Sequence, residues 1–95
     1  MREITTGELS KILEEHKRWI DTDEKEGQCA DLSNAKLCEA NLRNVHLCDA
    51  NLRNVCLCNA DLQGADFFRA DLSGANLSGA NLSGASLSGA IMKGV

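Results

Sequence analysis

The sequence of 95 residues has no proline and no tyrosine, and it has only one tryptophan and two phenylalanines. Without proline it is neither a proline-rich spacer nor a collagen-like chain. With so few aromatics it lacks the varied large side chains of an ordinary interlocking core. Its apolar content is instead 13 Leu and 11 Ala. No stretch approaches the roughly 20 apolar residues of a membrane span, and the charged first residues hold no apolar run of a secretory leader. No membrane partner is expected. Basic patches are lacking too: 10 Lys+Arg stand against 14 Asp+Glu, a formal charge of -4. Direct nucleic-acid binding is therefore not expected. Residues 1–27 hold 8 acids and 5 bases, and residues 28–95 hold 6 acids and 5 bases, so the acidic excess sits mainly near the start. Five cysteines are an odd number, and their spacing is not that of a secreted disulfide scaffold. A reducing, cytoplasmic location is the expectation. The length suits one small domain and leaves little room for a cleft between two lobes.

What the chain does have is a repeat of five. From Ala30 it divides into ADLSN, AKLCE, ANLRN, VHLCD, ANLRN, VCLCN, ADLQG, ADFFR, ADLSG, ANLSG, ANLSG, ASLSG and AIMKG. The first position is Ala in 11 of these 13 pentads and Val in the other two. The third is Leu in 11, with Phe67 and Met92 as the exceptions, and the second is Asp or Asn in 8. A straight helix would scatter residues five apart around its circumference, about 140° per step beyond a full turn. A straight strand would put alternate leucines on opposite faces. Only a chain that turns a corner every five residues keeps every first and third position facing one way. The fifth position then lies at the corner, where Gly and Asn tolerate unusual backbone angles. Four sides close a square coil of 20 residues, and the 13 pentads make about three coils of an all-β solenoid.

Tandem A(D/N)LXX resembles the pentapeptide-repeat family, and the resemblance covers residues 30–94. It implies a right-handed quadrilateral β-helix. The square register predicts columns of residues twenty apart: Leu32, Leu52, Leu72 and Met92; Leu37, Leu57 and Leu77; Leu42, Leu62 and Leu82; Leu47, Phe67 and Leu87. All of these leucines are expected inside, and the bulkier Phe67 needs local accommodation.

A stacked coil needs caps. Residues 1–28 are read as an N-terminal helical cap with its connection, and residues 29–95 as the repeat. Thr5 followed by Glu8 is a capping-box pattern. Leu9, Ile12, Leu13, His16, Trp19 and Ile20 then fall on one arc, so a helix from about Thr6 to Asp21 should lay them over the first coil. Trp19 is expected to fill the open end. The other end shows no comparable cap: either it pairs with another chain or the sequence is part of a longer protein, and a homodimer through the final coil, roughly Leu77 to Val95, is the expectation for the first case.

No HExxH, P-loop, GxGxxG or plausible Ser-His-Asp set is present, so no enzyme and no cofactor are expected. His46 should stack over Asp66, and Asp49 over Arg69, as exposed pairs of little energetic consequence. Cys38 and Cys58 should share one column, with Cys56 beside Cys58 on the same face and Lys36 above Cys56. These three thiols are read first as ordinary surface groups, and second as a redox-sensitive or metal-binding site. Zinc would lack a fourth ligand there. A Cys38–Cys58 disulfide would have suitable Cα separation but awkward sulfur placement.

The function expected is a non-catalytic structural or interaction module that contacts another protein through its outward residues. The variable outer residues concentrate in 36–69, with Arg43 and Arg53 as anchors. The family resemblance supplies an alternative, a DNA-mimic binder of the type II topoisomerase gyrase. The weak net charge of the repeat argues against it.

Overall fold

In the computed structural model, which describes residues 1–95, the fifth residue of every pentad has a positive φ. Seven corners carry an L-residue other than glycine, from Asn34 (φ 60°) to Arg69 (φ 58°), and the remaining six carry glycine. At each corner the amide of the next first-position residue bonds back to the third-position carbonyl, as in Ala35 N to Leu32 O at 3.1 Å. That is a turn whose third residue requires φ > 0, the reason for Asn and Gly there.

The remaining backbone groups bond between coils. The third-position amide reaches the second-position carbonyl of the coil below, as in Leu32 N to Asn51 O at 2.8 Å. The fifth-position amide reaches the fourth-position carbonyl below, as in Asn34 N to Arg53 O at 2.8 Å. The second-position amide reaches the first-position carbonyl above, as in Asn51 N to Ala30 O at 3.0 Å. Where a coil lies on both sides, only the fourth-position amide has no backbone partner. In all 8 pentads with Asp or Asn at the second position, that side chain accepts it. The (D/N) of the motif is thus a local backbone cap.

Parallel bridges link residues twenty apart, from Asp31 with Asn51 to Asp71 with Ile91, one per five residues. Four bridges per coil fix the expected register. They remain isolated bridges rather than continuous strands, because the turn at positions four and five interrupts each side after one paired residue.

First and third positions point inward. Leu32, Leu47, Leu52, Leu57, Leu62, Phe67 and Leu72 are fully buried, with Ala and Val between them. Phe67 is accommodated without exposure. Leu77, Leu82 and Leu87 depart from expectation: they are only half-buried, since no coil lies below them.

Helix α1 spans Thr6–Asp21. The Glu8 amide donates to Thr5 Oγ1 at 3.1 Å, and the Thr5 amide donates to Glu8 Oε1 at 3.5 Å, completing the capping box. Thr22 closes the far end, its hydroxyl donating to the Arg18 carbonyl at 2.6 Å. Ile4, Leu9, Ile12 and Leu13 pack against the core of the coils. Trp19 does not plug the open end as expected. It is half-buried and stacks on His16, with ring centroids 5.5 Å apart. His16 is the fully buried residue of the helix, and its Nδ1 accepts the Ala30 amide at 2.8 Å. A residue one turn earlier occupies the centre because Ala30, which opens the first coil, needs an acceptor that indole cannot offer.

Arg2 adds a cap that the sequence did not reveal. Its amide donates to Asn34 O at 2.7 Å and its carbonyl accepts from Lys36 N at 2.8 Å. Its guanidinium donates to Asp31 O at 2.9 Å and Ser33 O at 3.1 Å. One residue thereby meets Asp31 O, Ser33 O and Lys36 N, groups of the first two sides that a preceding coil would otherwise satisfy.

Candidate functional site

The outward positions, two and four, carry whatever chemistry the molecule presents. The twenty-residue register assigns each pentad to one of four sides. Arg43 belongs to the side of 40–44 and 60–64, and Arg53 to the side of 30–34, 50–54 and 70–74. Ten residues apart, they stand on opposite sides, so one flat partner cannot use both. Each arginine reaches an acid of the next coil: Arg43 Nε lies 3.6 Å from Asp61 Oδ2, and Arg53 Nε lies 3.8 Å from Asp71 Oδ2. Both side chains stay largely exposed, so these pairs contribute little to stability. Ser73 donates its hydroxyl and amide to Asp71, and Ser33 does the same to Asp31, which holds both carboxyls below the usual range.

The side formed by 45–49 and 65–69 differs from expectation in its details. His46 and Asp66 are in register but form no ion pair, and Asp66 Oδ1 accepts the Phe68 amide at 3.0 Å instead. Arg69 does not pair with Asp49. Its guanidinium lies 5.2 Å from the centroid of the Phe68 ring, a cation–π arrangement. Phe68 is an exposed aromatic, 41% accessible. The signal for it was present in the pentad ADFFR, where the second phenylalanine takes an outward position.

The side formed by 35–39 and 55–59 gathers the three thiols. Cα atoms of Cys38 and Cys58 are 4.7 Å apart, and those of Cys38 and Cys56 are 5.7 Å apart. Cys38 Sγ contacts both Cys56 Sγ and Cys58 Sγ, and the last two sulfurs are 3.5 Å apart. The Cα separation is as expected for Cys38 and Cys58, and Cys38 Sγ meets Cys56 Sγ as well. A sulfur forms one S–S bond, so Cys38 can be covalently paired with only one of its two neighbours at a time. All three ligand atoms lie within 4.8 Å of one another and all three residues are half-buried. Cys29 and Cys48 stand apart as free thiols. Burial pushes both up from the ordinary cysteine value, with Asp49 next for Cys29 and Asp66 next for Cys48. Cys29 Sγ donates to Asp49 O at 3.3 Å.

The one pocket, about 350 Å³, lies between α1 and the first coil. Its lining includes Arg2, Glu8, Lys11, Glu15, Cys29 and Asp31, with no histidine among them. No helix is long and apolar enough to cross a membrane.

The family model described as Pentapeptide repeats matches residues 28–64 and 65–95, in 8 copies. The chain belongs to the pentapeptide-repeat family. Among curated proteins none matches it. Among solved pentapeptide-repeat structures, it is similar to HetL from the cyanobacterium Nostoc sp. strain PCC 7120, described as involved in heterocyst differentiation regulation. The match has 40% identity and a TM-score of 0.65 over 67% of this chain and 30% of that one. It is also similar to a pentapeptide-repeat protein of the Arabidopsis thaliana thylakoid lumen, at 42% identity and a TM-score of 0.62 over 63% of this chain and 41% of that one. The chain therefore spans less than half the length of either pentapeptide-repeat structure.

Proposed function

We propose that this pentapeptide-repeat chain is a non-catalytic interaction module: a right-handed quadrilateral β-helix that presents flat sides to another protein and pairs with a second copy of itself through its final coil. The observation that carries this reading is the division of labour within each pentad. First and third positions are nearly uniform, and from Ala50 to Ala75 they are buried, with the backbone bonds closing between coils. Second and fourth positions vary without disturbing either. A scaffold of this kind changes its outer chemistry at little cost to its fold. The side bearing His46, Asp66, Phe68 and Arg69 is the contact surface this reading favours, because it holds an exposed aromatic with an arginine over it. Arg43 and Arg53 serve as secondary contacts on their separate sides. A cytoplasmic location belongs to the same reading and rests on the odd number of thiols. The DNA-mimic alternative gains no observation, since Asp61 and Asp71 are each met by an arginine.

The test is quantitative cross-linking in native extract with the wild type and a Phe68→Ser, Arg69→Ser double variant. The expected result is a discrete protein adduct of the wild type that is lost in the variant, with thermal stability retained. Adducts identical in both proteins would refute this choice of surface.

A further inference from the structure

Three sulfurs converging at one point on a rigid surface are more than a repeat of this kind requires. At the fourth position five pentads carry Ser, and at the second position most carry Asp or Asn. Neither the core nor the backbone bonding uses the thiols of Cys38, Cys56 and Cys58. Their backbones are nevertheless locked together. Leu37 N donates to Cys56 O at 2.8 Å, Glu39 N to Cys58 O at 2.8 Å, and Cys56 N to Ala35 O at 2.9 Å. The three donors are thus preorganised across two coils rather than held on a mobile loop.

We propose that Cys38, Cys56 and Cys58 form a three-thiolate site for a soft, thiophilic monovalent cation of the copper(I) class. Softness follows from the donors: three sulfurs and no carboxylate or imidazole in the cluster. The coordination number follows from the count. A structural zinc site closes with four protein ligands, and only three groups converge here. Three equivalent metal–sulfur bonds of about 2.3 Å in a plane set the sulfurs about 4 Å apart. The Cys56–Cys58 separation of 3.5 Å lies close to that value, and Cys38 Sγ, in contact with both, reaches it by drawing back from them through a side-chain rotation. The position of Cys38 facing both partners also fits a shared ligand set better than a single disulfide, which leaves the third sulfur idle. Each thiol loses its proton on binding, so three protons pass to solvent for each cation taken up. Lys36, bridged to Cys56 in the ladder, stands on the same side, with its ammonium 3.6 Å from Glu3 Oε1.

The experiment uses the full chain, reduced and kept anaerobic, titrated with copper(I) against a chromophoric copper(I) chelator. One copper per chain is expected, with an X-ray absorption shell of three sulfurs. Cys38→Ser, Cys56→Ser and Cys58→Ser should each weaken binding at least about tenfold, whereas Cys48→Ser should not. Serine is native to both positions elsewhere in the repeat, at Ser78 and Ser86, so the variants are compatible with folding. Equal melting temperatures check this. Uptake below about 0.2 copper per chain overturns the site. Dependence on only two of the three cysteines, or an equal loss in Cys48→Ser, overturns it as well.

Discussion

Glu39 and Arg69 hold left-handed corners, with φ of 66° and 58°, where the other corners use Asn, Asp or Gly. A non-glycine L-residue there costs about 1–2 kcal/mol, and asparagine offsets part of that through its short polar side chain. Glu39 is exposed and has no salt-bridge partner. Glu39→Gly should therefore stabilise the protein by about 1 kcal/mol, net of the extra entropy of glycine in the unfolded chain. Chemical denaturation would show a higher midpoint, and an unchanged or lower one would contradict the argument. His16 makes the second residue-scale prediction. Burial lowers its pKa from the usual 6.5, and the nearby Cys48 carbonyl and Asp49 only partly oppose that. The folded state then binds fewer protons than the unfolded one at mildly acid pH. Stability is fully present above 6.5 and is lost as pH falls through the lower folded value. Protonation also removes the Nδ1 lone pair that accepts from Ala30. The melting temperature should fall between neutral and mildly acid pH, and His16→Gln should flatten that fall. An equal slope in both proteins would place the titration elsewhere.

At the scale of the element, α1 is held by its connection as much as by its apolar arc. Gly27 has a φ of 76°, and a Cβ built there would collide with the Glu15 carbonyl oxygen and lie 2.8 Å from the Trp19 amide nitrogen. Both obstacles are backbone, so neither can give way as a flexible side chain would. The following amide, Gln28 N, bonds to that same Glu15 carbonyl at 3.1 Å. Gly27→Ala should cost more than about 2 kcal/mol and loosen the cap while the central coils persist. Hydrogen exchange would show early loss of protection in α1 and at Ala30, with Leu52, Leu57 and Leu62 still protected. Uniform loss, or none, would count against a separable cap. The helix limits, the capping box and the register of twenty were all legible in the sequence, because each is written locally or repeated thirteen times. The roles of Arg2 and His16 were not. They depend on which single residue the fold brings to the edge of the first coil, and nothing repeats there to average out alternatives. Trp19 had the greater bulk, but the decisive need at that point was a hydrogen-bond acceptor. The reading of Arg43 and Arg53 as anchors of one contact region missed that they stand on opposite sides, although the register of twenty implies it, and their pairing with Asp61 and Asp71 came from side-chain reach, which the pentad pattern does not encode. The thiol cluster was legible as a shared face. The contact of one sulfur with two others was not, because it depends on side-chain rotamers, which the pentad pattern does not encode.

Across the whole molecule the two ends of the solenoid are unequal. At one end α1, His16 and Arg2 cover apolar atoms and meet backbone groups. At the other, Leu77, Leu82 and Leu87 are half-buried, Ile91 is 50% exposed and Val95 is 48% exposed. The amides of Leu77, Leu82 and Leu87 make none of the inter-coil bonds that Leu32 through Leu72 make. An apolar face rimmed by unpaired amides and carbonyls is an edge that recruits another chain. Stacking this face onto the capped end of a second molecule would first require displacing α1. Joining two uncapped faces across a twofold axis requires no such displacement and closes the assembly without propagation. The self-pairing within the proposed function is therefore expected to use residues of 77–95. The cross-section of one coil is small, so dissociation at about micromolar concentration is expected. Sedimentation equilibrium of the wild type beside Met92→Lys decides the matter. The inward-facing charge should abolish the dimer while α1 and the central coils retain their circular-dichroism signal. A wild type that remains monomeric at about 100 micromolar, or a Met92→Lys variant that dimerises as strongly, would leave this end without the partner assigned to it.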